Sequence, residues 1–240
     1  MSTASAYLTV AGINVDVVYK DIKNLHIGVY PPVGRVRVAA PRRLDDDQVR
    51  LALVKRLPWI KSERDRLQRA ERQSQREMVT GESHYVWGDR YRLKLVERGG
   101  HPHVELDGES LVLYLQQGTS PEQRRELLGR WYRERLREAV PDAIARWEPT
   151  IGVQVPRWTI RRMKTKWGSC NRKTGHIWFN VELAKKHPDG LEYIAVHEMT
   201  HLLERGHGAR FTRLMDGFMP DWRARRDRLN DAPLASEIWK

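Results

Sequence analysis

Short runs of alternating apolar and polar residues open the chain. Tyr7-Leu8-Thr9-Val10, Ile13 to Val17, and Leu25, Ile27 and Val29 each place alternate side chains on one face, which predicts strands. Pro31-Pro32-Val33-Gly34 then turns the chain into Arg35 to Val38, giving a small antiparallel sheet. After Pro41 the period lengthens. Asp45-Asp46-Asp47 caps a helix whose stripe is Val49, Leu53, Leu57 and Ile60, with Pro58 expected to kink or split it. Residues 61 to 77 are highly polar and read as an exposed helical connector.

A second alternating set follows at 85–87, 91–96, 103–106 and 111–115, separated by turns at Gly88-Asp89, Gly99-Gly100 and Asp107-Gly108. Ser120-Pro121-Glu122-Gln123 has the spacing of a capping box and starts a helix with Leu127, Leu128, Trp131, Tyr132, Leu136 and Ala139 on its apolar face. Pro141 is expected to stop it, with a shorter helix from 143 to 147. Residues 157 to 180 predict a hairpin with arms Trp158 to Met163 and His176 to Asn180. Asp189 and Glu192 have capping-box spacing for the next helix, and Gly208 to Met219 carries Phe211, Leu214, Met215 and Phe218 on one side. No internal repeat stands out. The pattern as a whole gives an α+β fold in two parts, residues 1–117 as an antiparallel β-rich region with an intervening helix and 118–240 as a domain organised around helices and a hairpin.

Composition narrows the setting. With 40% hydrophobic residues the chain reads as a soluble globular protein, and neither a leader-like start nor a membrane-length apolar run is present. Cys170 is the only cysteine, which fits a cytoplasmic location. The net charge of +12 favours polyanionic partners such as nucleic acid or nucleotides. Much of it lies on helices that also carry acids, which reads first as a solvated face.

The chemistry concentrates at His197-Glu198-Met199-Thr200-His201. Histidines four apart on a helix share one face, so both imidazoles reach one metal and Glu198 stands beside them as a general base. Gly206 turns the chain past the helix end and brings His207 as a third ligand. Three nitrogen ligands with an open fourth position suit a catalytic Zn2+ ion. Glu204, Asp216 and Asp221 are the carboxylates available to orient the imidazoles.

Three segments together resemble the YgjP-like metallopeptidase family, which is related to SprT-like and WLM proteases. They are Met163-Lys164-Thr165-Lys166-Trp167-Gly168-Ser169-Cys170 with Ile177 to Asn180, Val196 to Leu202, and Gly206-His207-Gly208 with Phe211. The N-terminal strands before Ala40-Pro41, and Pro58-Trp59-Ile60, extend the likeness over nearly the whole chain. The resemblance implies a zincin-like catalytic unit, with His197, His201 and His207 as ligands and Glu198 as base. Metzincins share the histidine spacing, but they have glycine where this chain has Glu204.

Peptide or protein is the substrate class that follows, with Lys166, Trp167 and Asn180 as candidate substrate contacts and the 177–180 edge open to strand addition. Trp167 and Cys170 have an equally good structural reading, as packing against the catalytic helix. A metal-dependent phosphohydrolase acting on nucleoside triphosphates is the alternative, because Arg161, Arg162, Lys164, Lys166, Arg172 and Lys173 border the same region. A nucleic-acid-associated protein with a structural metal is a third reading, resting on net charge.

Overall fold

The computed structural model describes residues 5–30, 34–69, 77–163 and 166–231. The turn at Pro31 to Val33, the connector at 70–76 and the cation Lys164 lie outside them. Contacts divide the chain after Gln73 into two compact units, each with its own hydrophobic core. The boundary expected at 117/118 falls inside the second unit, between its sheet and its long helix.

In the first unit, β1 (Ser5–Val10), β2 (Ile13–Lys20), β3 (His26–Tyr30) and β4 (Arg35–Pro41) form a sheet in the order β1-β2-β4-β3. The outer pairs are antiparallel and the central β2–β4 pair is parallel, so the sheet is mixed. Helix α1 (Asp46–Arg69) continues past Pro58 without splitting. Its start is held reciprocally, the Gln48 amide donating to Asp45 Oδ1 and the Asp45 amide to Gln48 Oε1. Val49, Leu53 and Ile60 are buried with the inward residues of the strands, as their spacing requires.

The second unit begins with the same plan. Strands β5 (Ser83–Val86), β6 (Asp89–Glu97), β7 (His103–Asp107) and β8 (Ser110–Leu115) are ordered β5-β6-β8-β7, again with a parallel central pair. Helix α2 (Pro121–Ile151) follows, with Ser120 and Gln123 forming the capping box. The first turn of each sheet also matches, Ala11-Gly12 and Trp87-Gly88 both having positive φ. The two units thus share a four-strand-plus-helix repeat. What repeats is the binary pattern and the turn positions, with little residue identity, which is why the sequence alone does not display it.

Helix α2 passes Pro141 and Pro149 without stopping. Each proline removes one backbone donor, yet Val140, Ala143, Ile144 and Ile151 are buried, and this packing outweighs the local cost. Beyond α2 lie β9 (Arg157–Arg161), β10 (Gly168–Asn171), β11 (His176–Asn180), a 3-10 turn (Val181–Lys185), and helices α3 (Pro188–Leu203), α4 (Ala209–Phe218) and α5 (Trp222–Asp231). The expected hairpin is redrawn. β10 pairs antiparallel with β11, while β9 pairs parallel on the other side of β11. Gly168-Ser169-Cys170-Asn171 has no apolar alternation, so β10 gave no strand signal. No helix among the described residues is long and apolar enough to cross a membrane.

Candidate metal centre

Helix α3 is the most buried helix of the second unit. Leu191, Ile194, Ala195, Val196 and Met199 pack into the core. The Thr200 hydroxyl is buried too, and it is satisfied by donating to the Val196 carbonyl at 2.7 Å. Its N-terminus is not closed by the expected capping box. The His187 side chain accepts from the Asp189 amide, while Asp189 pairs with Arg225 and Arg228. Glu192 ties Arg146 of α2 and Arg225 of α5 to α3, so these acids fix the helix by tertiary ion pairs.

At the other end, α3 stops at Glu204, whose backbone is extended. The chain then doubles back through Gly206 and delivers His207 to the face already holding His197 and His201. The three Nε2 atoms converge: His207 lies 3.1 Å from both His201 and His197. A tetrahedral nitrogen set around zinc has edges of about 3.3 Å, as follows from Zn–N bonds of about 2.0–2.1 Å. Burial, with the neighbouring imidazoles, lowers the His197 pKa to about 3, and burial also lowers that of His201. Three imidazole nitrogens this close turn lone pairs toward a common point, an arrangement that a cation stabilises. The donor set and its spacing fit a divalent ion of the zinc type.

Phe211, in the first turn of α4, forms the floor. Its ring centroid lies 5.0, 4.7 and 4.8 Å from those of His197, His201 and His207. The amphipathic pattern marked Phe211 as buried, but not that it contacts all three imidazoles. Two of the remaining nitrogens are held separately. His201 Nδ1 lies 3.0 Å from the Glu204 carbonyl, and His197 Nδ1 lies 3.4 Å from the Tyr193 hydroxyl. Tyr193 escaped the sequence reading, although its position one turn before His197 was the available signal. None of the three carboxylates considered there takes this part. Asp216 accepts from Trp222 and Arg223, Asp221 from Arg225, and Glu204 acts through its backbone.

Glu198 lies against Gly168 at the start of β10, lines the same cleft as the histidines, and is buried. Desolvation pushes its pKa up to about 7, while the Lys166 ammonium pulls in the opposite direction. This carboxyl can both accept and return a proton near neutrality. A cleft runs past it, lined by Lys166, Trp167, the whole of β10 and the three histidines. β10 is an edge strand of its sheet and lines this cleft, whereas β11 is paired on both sides and has no edge to offer.

Two of the three candidate substrate contacts, Lys166 and Trp167, line the cleft. Asn180 does not. It is buried, donating from Nδ2 to the Met163 and Lys166 carbonyls at 2.9 and 2.8 Å and accepting the Glu182 amide at Oδ1. It ties the backbone at Met163 and at Lys166 to the end of β11. Trp167 is anchored in turn by its Nε1, which donates to Asn230 of α5. Cys170 also lines the cleft, but burial raises its thiol to about pKa 11, so it is no nucleophile at neutral pH.

No curated protein matches the chain. Among solved structures, the metallopeptidase zymogen of Pyrococcus abyssi abylysin is similar at 24% identity and a TM-score of 0.35, over 37% of this chain and 90% of that one. The family described as "YgjP-like, metallopeptidase domain" matches residues 23–232, which spans both units and every residue of the centre. The chain therefore belongs to the YgjP-like metallopeptidase family.

Proposed function

We propose that the protein is a zinc-dependent peptidase in which His197, His201 and His207 hold the metal and Glu198 is the general base. The observation that carries this reading is the convergence of three Nε2 atoms beside a buried carboxyl on the same helix. When bound there, zinc would supply Lewis acidity to a water and to the substrate carbonyl. Glu198 takes a proton from the attacking water as its oxygen adds to the carbonyl carbon, and returns that proton to the amine nitrogen as the C–N bond breaks. Burial suits it to both transfers. Phe211 excludes water from beneath the imidazoles, and the free edge of β10 offers backbone groups to an extended chain. The lone Cys170 supports a cytoplasmic setting.

The experiment joins metal analysis to hydrolysis. Wild type should carry about one zinc per chain, lost in His201→Ala, and should cleave denatured casein in a Glu198-dependent way. Glu198→Gln should keep its metal while losing at least about a hundredfold in rate. Glu198-dependent release of phosphate or pyrophosphate from nucleoside triphosphates, with casein intact, would transfer the centre to the phosphohydrolase reading, which draws support from the cations along the cleft.

A further inference from the structure

The cleft wall is charged in one sense. Among its described lining residues the cations are Lys166, Arg172, Lys173, Arg205 and Arg226, and the only carboxylate is Glu198, which is buried. Arg226 is neutralised by Asp227 and lies over the Trp222 ring. The others are not matched in this way. Arg172 donates to the Leu202 carbonyl at the end of α3, an interaction that leaves its charge uncompensated. Lys173 and Arg205 have no carboxylate partner among the described residues, and both are exposed.

Position gives this charge a meaning. Gly168 abuts Glu198, so on the peptidase reading the scissile bond is placed beside this end of β10. From there β10 runs to Asn171, a distance of about 10 Å at roughly 3.3 Å per residue. Arg172 and Lys173 follow directly in the turn to β11. The Arg172 bond to Leu202 sets this turn against the end of α3, where Arg205 also emerges. An extended peptide laid along β10 advances at the same rate as the strand. A side chain about three residues from the scissile bond therefore reaches Arg172, Lys173 and Arg205.

Resting on the peptidase reading of this centre, we infer that the cleft selects substrates with an aspartate or glutamate about three residues from the cleaved bond. The cations Arg172, Lys173 and Arg205 form the specificity subsite. Because this end of the cleft is open, each ion pair is weak and screened by salt, and selectivity comes from three acting together. A preference of about tenfold in kcat/KM, or about 1.4 kcal/mol, is the expected scale.

The test uses the full-length, metal-loaded protein and a fluorogenic peptide series in which Asp, Ala or Lys is walked along both sides of one scissile bond. Asp should raise kcat/KM about tenfold over Ala at one position about three residues away, Lys should lower it there, and high salt should level the two. Lys173→Glu with Arg205→Glu should reverse the order. A second readout is free of turnover: a labelled Asp peptide should bind Glu198→Gln more tightly than its Lys counterpart at low salt. Cleavage of all peptides alike would overturn the inference while leaving the peptidase reading intact. Failure to cleave any of them by zinc-loaded protein would remove the peptidase reading and this inference with it. Displacement of the labelled peptide by a nucleoside triphosphate that is itself hydrolysed would assign the cations to phosphate.

Discussion

Gly168 lies so close to Glu198 that a β-carbon added to it would stand 2.8 Å from both Cγ and Oε1 of the glutamate, and 2.7 Å from the Ile194 methyl. Glycine is required there by space, since its φ lies outside the left-handed region. The edge strand and the Glu198 side chain therefore share one volume. Gly168→Ala should cost about 1–3 kcal/mol and lower kcat well beyond any change in metal content, because the methyl displaces the Glu198 carboxyl. Urea unfolding and metal analysis, run beside the casein assay, check it; full activity would show that β10 yields without moving Glu198.

Phe211 offers a second test, at the floor of the centre. Phe211→Ala opens a cavity under three imidazoles at once and should cost about 3–5 kcal/mol, with metal affinity falling as the rings lose their fixed orientation. Phe211→Leu keeps most of the volume and should fold, yet still bind zinc about tenfold more weakly. Competition with a chromogenic chelator measures this. Equal affinity in wild type and the leucine variant would reduce Phe211 to ordinary core packing.

The orienting groups of the histidines predict an asymmetry. His201 is held by the Glu204 backbone carbonyl, which no side-chain change removes, so Glu204→Ala should keep zinc affinity within about threefold. Tyr193→Phe takes away the hydroxyl beside His197 Nδ1, and at 3.4 Å that contact is weak, so a loss of less than about tenfold is expected. A larger loss in Glu204→Ala than in Tyr193→Phe, read by the same chelator competition, would mean that the carboxylate acts on the centre after all.

These contacts mark how far the sequence can be read. His197, Glu198 and His201 are legible because their geometry is local, set by one turn of helix, and Gly206 makes the return of His207 legible too. The roles of Gly168 and Phe211 depend on which segments meet, and no periodicity encodes that. Asn180 shows the converse: expected as a substrate contact, it is itself buried and donates to the Met163 and Lys166 backbone carbonyls. Pro141 reads as a helix stop because its local cost is visible, while the packing that outweighs it is not.

The last prediction concerns pH and lies just before α3. Lys186 is 6% exposed, and burial lowers its ammonium pKa to about 8 from an ordinary 10.5, against partial support from Glu182. Below pH 8 both folded and unfolded chains hold this proton, and the folded state bears the whole cost of burying the charge. Between about pH 8 and 10.5 the unfolded chain binds more protons than the folded one, so the contribution of this group to stability rises with pH. The gain is on the order of 3 kcal/mol at most. Lys186→Met keeps an unbranched apolar side chain of similar length and removes the charge, including the Nζ that lies 5.7 Å from the Trp167 ring centroid. It should be more stable than wild type at pH 7, and the difference should shrink as pH rises toward 10. Urea titrations of both proteins across that range decide the matter, since other groups that titrate there are common to both. A difference that stays constant with pH would show that the Lys186 ammonium is not buried as a charge.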